Sequence, residues 1–213
     1  MSSGTLWASP VSTCSRRVIA CLKEVGKDFD FVPIDLSKGE QKSKEMLEVQ
    51  PYGKVPAWQE AGGFTLFESR AIIRYLAEGT HLVPSDVKAR AIMEQWISVE
   101  YSYFAPSYMP IYYMKFLKKV PLNEDECTKH EAALQPTLDI LESRLTESDY
   151  LAGPDFTLAD LTYLCYFAMA DKIGLQGSID SRPKLSAWWQ RCSSRDCWKF
   201  AMTPDEILKH RKQ

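Results

Sequence analysis

Four small residues with reactive or hydrogen-bonding side chains, Ser12, Thr13, Cys14 and Ser15, precede Arg16, Arg17 and an apolar run in "SPVSTCSRRVIACL". Each hydroxyl donates one proton and accepts two bonds, and the Cys14 thiol is the most reactive of the four in isolation. Two other stretches place polar groups where elements begin. In "QPYGKVPAW", Tyr52 and Gly53 form a turn and Val55-Pro56 enters a strand; in "FESRAIIRYL", Glu68 and Ser69 stand at the mouth of a helix. Taken singly, each stretch reads as structural punctuation: a cap, a strand entry, a helix start.

The elements around them change grammar along the chain. "GTLWAS" is a short apolar strand, and Val18, Cys21, Leu22 and Val25 then recur at helical spacing with Gly26 as the stop. "DFDFVPIDL" alternates like a strand that Pro33 confines to an edge or bulge. "KVPAWQEAGGFTLFE" reads as two strands about a Gly-Gly turn. "SRAIIRYLAEG" is a short helix with Ala71, Ile72, Tyr75 and Leu76 on its apolar face. The order strand, helix, strand, strand, strand, helix defines a small α/β unit over residues 1–79, followed by a linker at 80–88. Residues 89–213 show helical patterns only. Their first helix carries Pro106 and Pro110, which are expected to bend or break it. The nearly continuous apolar run of "FTLADLTYLCYFAMADKIG" marks a buried central helix. Thr157 and Asp160 open it as an N-cap and an Asp variant of the capping box, with Phe156 and Leu161 as the hydrophobic staple.

Composition narrows the partners. With 45% hydrophobic and 25% charged residues the composition is that of an ordinary globular protein, and a net charge of −2 gives no reason to expect nucleic acid or anionic membrane as a partner. His81, His130 and His210 are isolated, so no metal site is expected. The cysteines lie within apolar runs, as Cys21 and Cys165 show, and behave as small hydrophobes. No leader-like segment and no apolar run of ~20 residues is visible. A reducing, cytoplasmic setting is the expectation.

Together the motifs resemble those of the glutathione transferases, specifically the phi class. The resemblance runs the length of the chain, through "SPVSTCSRRV", "PIDLSKGEQKS", "QPYGKVPA", "LFESRAIIRYLAE" and "LAGPDFTLADL" in the family's order. It implies an α/β thioredoxin-like N-terminal domain followed by an all-helical C-terminal domain, in agreement with the strand and helix order above. It also implies glutathione as cosubstrate, with no permanently bound cofactor, and a homodimer.

Glutathione carries two carboxylates, an ammonium and a thiol, so its site needs charges of both signs and a backbone edge. By resemblance, Ser12 is the hydroxyl that donates to the glutathione thiolate, lowering a thiol pKa that is ordinarily ~8.5. Thr13 is a second donor. A cis Val55-Pro56 bond leaves the Val55 backbone to pair with the cysteinyl unit, as in strand addition. Glu68 accepts from the γ-glutamyl ammonium, and Ser69 with the helix start behind it receives the γ-glutamyl carboxylate. Lys42 and Lys54 hold the glycyl carboxylate. This chain departs from the class at two points. "GEQK" stands for the usual "GEHK", so Gln41 replaces a histidine at the glycyl end, and Lys54 replaces the glutamine of "NPFGQVPA".

Cys14 is the competing nucleophile. In relatives that run thiol-disulfide exchange the cysteine occupies the place of Ser12, and two residues further along a helix rotates a side chain by ~200°. The apolar electrophile is assigned to Phe104, Tyr108 and Tyr112, which follow at four-residue steps on one helix face, with Pro10 and Leu36 on the opposite wall. The resulting function is conjugation of glutathione to apolar electrophiles, with hydroperoxide reduction as a further activity. The alternatives are a non-catalytic carrier or interaction module and a Cys14-based thiol-disulfide enzyme.

Overall fold

The computed structural model describes residues 3–211. The first unit is built on a mixed sheet of four strands: β1 (Thr5–Ala8), β2 (Asp30–Pro33), β3 (Ala57–Gln59) and β4 (Thr65–Phe67), in the order β2-β1-β3-β4. β1 pairs with β2 in parallel and with β3 antiparallel, and β3 pairs antiparallel with β4. β2 is an edge strand, where Pro33 costs the sheet no ladder bond. The side-chain alternation of a strand divides the sheet into two faces. Trp7, Val32 and Ala57 are register partners and pack with Ile34, Met46 and Val49 under α2 (Lys44–Val49). On the other face α1 (Thr13–Glu24) packs against α3 (Ser69–Ala77). This is the thioredoxin-like arrangement implied by the motifs.

Sequence pattern misses α2. "KEMLEV" is too short for helical periodicity to register, although Ser43 caps it by accepting the Met46 N–H at 3.2 Å. In α3 the buried stripe is Ile72, Ile73, Leu76 and Ala77. Tyr75, expected on that face, is 42% exposed; its hydroxyl donates to Glu60 at 2.8 Å and its ring packs on Phe64.

Among the described residues the two compact units are 3–83 together with 194–211, and Pro84–Ser193. These units differ from the expected division, 1–79 and 89–213, in that residues 194–211 pack with the first unit. α10 (Asp196–Ala201) packs on α1, and the half-buried Glu24 carboxylate accepts from Arg195 and from His81 at 3.2 Å. Burial raises the Glu24 pKa, but the bonds from Arg195, Cys197 and His81 outweigh it and leave the value below the usual one. His210 stacks on Phe29 with centroids 4.8 Å apart, and its carbonyl accepts the Phe31 N–H along the outer edge of β2.

The second unit is helical. α4 (Val87–Val99) continues through a π-helical turn at Glu100–Phe104, then α5 (Ala105–Ile111), then a second π turn at Tyr112–Phe116. The prolines do not break it. The Ala105 N–H bonds to the Glu100 carbonyl and Leu117 to Tyr112, five residues back, and these widened turns adjoin Pro106 and Pro110. α6 (Glu124–Glu147), α7 (Leu158–Phe167), α8 (Gln176–Asp180) and α9 (Pro183–Ser193) complete the unit, and α11 (Pro204–Leu208) follows α10 in the first. All ten residues of α7 are buried, as its apolar run requires. The capping box at Thr157 and Asp160 is formed, and Phe156 and Leu161 are both buried. No described helix is long and apolar enough to cross a membrane.

Candidate active site

The strand register gathers the three motifs at one end of the sheet. β1 runs toward Ala8 and on to Ser12; its partner Trp7 faces Ala57, the first residue of β3, so Val55 lies just beyond Ala8. Ala57 in turn faces Phe67, the last residue of β4, which delivers Glu68 and Ser69 to the same edge. Ala8 also pairs with Pro33, so the chain leaving β2 toward Leu36 emerges there as well.

Ser12 is the N-cap of α1, with extended backbone and an Oγ that accepts the Ser15 N–H at 3.4 Å. That bond uses a lone pair and leaves the hydroxyl proton to donate, so capping and thiolate binding are compatible in one side chain. Ser15 is fully buried, and its Oγ accepts the Ser9 N–H at 3.3 Å, tying the loop after β1 to the helix. Arg16 adds a bond from Nε to the Pro10 carbonyl at 3.1 Å. Thr13 and Cys14 lie on the first turn, both partly exposed. None of the six cysteines forms a disulfide. Burial pushes the Cys21 thiol far up and Cys197 up to about 12, the latter helped by its bond to Glu24, so neither is a nucleophile at neutral pH.

The Val55-Pro56 bond is cis. Val55 lies outside the β3 ladder, and its backbone N–H and C=O have no hydrogen-bond partner among the described residues. Such a backbone can take an extended ligand as an added strand. Glu68 follows β4 with φ of 71°, in the left-handed region that a residue with a Cβ rarely occupies, and its carboxylate is exposed. Strain of that kind costs ~1–3 kcal/mol and is retained chiefly where a side chain must be aimed. Ser69 begins α3 and is buried.

Gln41 and Lys42 lie on a single 3₁₀ turn before α2. Lys42 Nζ donates to the Tyr52 carbonyl at 2.8 Å, crossing Gly53 so closely that a Cβ there would stand 2.6 Å from its Cδ. Gly53 also has φ of 56°, so the turn needs glycine on both counts. Lys54 is exposed beside it. The Gln41 Oε1 is buried without a hydrogen bond among the described residues.

The structure buries the aromatic series within the helical unit. Phe104, Tyr108 and Tyr112 do share a face, but it points into the helical core: Phe104 packs on Tyr163, Tyr166 and Phe167, and Tyr108 donates to the Tyr166 carbonyl at 2.7 Å. The cavity left beside Phe104 and Tyr108 is about 10 Å³, enough for one water at most. Burial drives the Tyr108 hydroxyl pKa up and keeps it neutral. The exposed aromatics of this helix are Tyr101, Tyr103, Tyr113 and Phe116. On the first unit Pro10 is partly exposed, Leu36 is 38% exposed, and Val11, beside Ser12, is 59% exposed.

Sequence reading passed over Val11 and Arg17. Arg17 has no exposed surface, and its Nη1 donates to Ser69 Oγ at 2.8 Å. Its signal is a charge one turn before Cys21, on the stripe that α1 buries.

Residues 2–78 match the model of the glutathione S-transferase N-terminal domain, and residues 104–196 that of the C-terminal domain. Glutathione S-transferase PARB of Nicotiana tabacum is 39% identical over 200 residues, covering 89% of this chain and 92% of its own. Among solved structures, poplar glutathione transferase F1 superposes with a TM-score of 0.91 at 34% identity, over 98% of this chain and 99% of that one. Maize glutathione S-transferase I, solved in complex with an atrazine glutathione conjugate, gives a TM-score of 0.88 at 28% identity over 95% and 98%.

Proposed function

The chain belongs to the glutathione S-transferase family, in its phi class, and we propose that it activates glutathione through Ser12 for attack on apolar electrophiles. The supporting observation is the convergence at one sheet end of a capping serine with a spare donor, an unpaired Val55 backbone and the Glu68-Ser69 helix start. In this reading Val55 pairs with the cysteinyl unit beside Pro56, Glu68 takes the γ-glutamyl ammonium, and Ser69 with the first N–H groups of α3 takes the γ-glutamyl carboxylate. Lys42, Lys54 and Gln41 face the glycyl carboxylate. The glutathione sulfur then sits at Ser12, whose proton it accepts in a hydrogen bond, with Thr13 as a second donor. The S–H proton leaves to solvent, sulfur bonds to the electrophilic carbon, and the leaving group departs with its electron pair. Attack of the same thiolate on a peroxide oxygen expels an alcohol and gives hydroperoxide reduction, a second glutathione then displacing the sulfenic oxygen as water. Val11, Pro10 and Leu36 supply apolar surface next to the sulfur.

Chemistry of this kind draws its thiol from glutathione and needs no resident cofactor. Cys14 flanks the site without taking part. Purified protein should conjugate glutathione to a chloronitrobenzene, and Cys14→Ser should retain that rate within about twofold. Absence of conjugation in the wild type would refute the reading, and loss in Cys14→Ser with disulfide-exchange activity in the wild type would transfer the chemistry to Cys14. We also read the protein as a cytoplasmic homodimer. Sedimentation should give twice the 24.3 kDa of one chain; a monomer at micromolar protein would contradict it.

A further inference from the structure

We infer that Arg17 is a positioning residue for glutathione, holding the Ser69 hydroxyl aimed at the γ-glutamyl carboxylate. The inference rests on the role given to Ser69 above; Arg17, which has no exposed surface, acts through that hydroxyl. A guanidinium with no exposed surface is costly unless strong acceptors meet its donors. Here Nη1 reaches Ser69 Oγ at 2.8 Å and stands 3.9 Å from Cys14 Sγ.

The consequence follows from the capacity of a hydroxyl. One lone pair of Ser69 is taken by a cationic N–H, and the serine proton is turned away from that positive group. It then donates to an anion on the far side, and the charge behind it strengthens the bond. The same nitrogen contacts Cys14, two residues after Ser12 on α1. Arg17 therefore links the start of α1, where the sulfur is handled, to the start of α3, where the γ-glutamyl end is held. Simple cross-bracing of α1 to α3 would affect stability but would not change which carboxylate the protein recognises.

That difference supplies the test. KM in the conjugation assay and Kd by calorimetry are measured for glutathione and for 4-aminobutyryl-cysteinyl-glycine, which lacks only the γ-glutamyl carboxylate. Wild type should prefer glutathione, and Arg17→Met should lose about tenfold of that preference, the worth of one charge-assisted hydrogen bond. Its kcat at saturating glutathione should stay within about twofold, because the bonds at sulfur are untouched. Adding Arg17→Met to Ser69→Ala should cost nothing beyond Ser69→Ala alone. Full preference in Arg17→Met overturns the inference while leaving Ser69 in its role. No preference in the wild type overturns both. Should Arg17→Met fail to fold, Arg17→Lys decides: it keeps the charge but not the fork, and its preference should fall about threefold, an unchanged preference again overturning the inference.

Discussion

Ser12→Ala should lower the conjugation rate at pH 6.5 about fiftyfold, and the loss should shrink as pH rises. The size follows from thiol titration. A donor at the sulfur that lowers the bound thiol from ~8.5 to ~6.5 leaves half of it ionised at pH 6.5, whereas without the donor about 1% is ionised. Near pH 9 both proteins hold mostly thiolate, so their rates should approach each other. The sign distinguishes activation from simple damage, since a misfolded site would lose rate at every pH. Ser12 also caps α1, and losing the cap costs ~0.5–2 kcal/mol of stability. Ser12→Asp separates the two roles. It keeps an acceptor for the Ser15 N–H but offers no donor and sets a negative charge beside the sulfur. It should melt close to wild type and react more slowly than Ser12→Ala. Equal rates for wild type and Ser12→Ala at pH 6.5 would remove serine activation from the mechanism.

How much of this could be read from the residues depends on what each signal encodes. Strand alternation and Pro33 define an edge strand because both act through the local backbone, and β2 is indeed an edge. The Thr157 and Asp160 spacing is equally local, and the capping box is formed. Four-residue steps correctly put Phe104, Tyr108 and Tyr112 on one face, yet spacing carries no information on what the face meets. It meets α7, and the series is core. Tyr75 fails for the related reason that its hydroxyl finds Glu60 at the surface. The return of the C-terminal stretch onto α1 brings Arg195 to Glu24 across 171 residues, which no window along the chain can contain. Arg17 and Ser69 are hidden by the same kind of separation.

Asp160→Ala should be the most destabilising single change in the helical unit, on the order of 4–6 kcal/mol. The carboxylate has no exposed surface, and Oδ1 accepts from the Leu151 N–H at 2.9 Å and Trp188 Nε1 at 2.8 Å. Oδ2 accepts from the Thr157 N–H at 3.0 Å and from the Thr157 hydroxyl at 3.3 Å. Burial pushes this carboxyl up from the usual aspartate value, and the four donors oppose that shift. The group thus joins the loop at Leu151, the start of α7 and the buried face of α9, well beyond the ordinary task of a capping box. Alanine would strand three buried N–H donors, each costing ~1–3 kcal/mol. Against the ~5–15 kcal/mol that typically holds a domain together, this is a large share. Asn keeps one acceptor oxygen but turns an NH₂ toward groups that are themselves donors, so Asp160→Asn should recover only part of the loss. Thr157→Ala, which removes the cap while leaving its own backbone N–H bonded to Asp160, should cost only ~0.5–2 kcal/mol. Urea titration of the three variants measures the order Ala worse than Asn worse than Thr157→Ala. An Asp160→Ala midpoint matching that of Thr157→Ala would reduce Asp160 to a cap and nothing more.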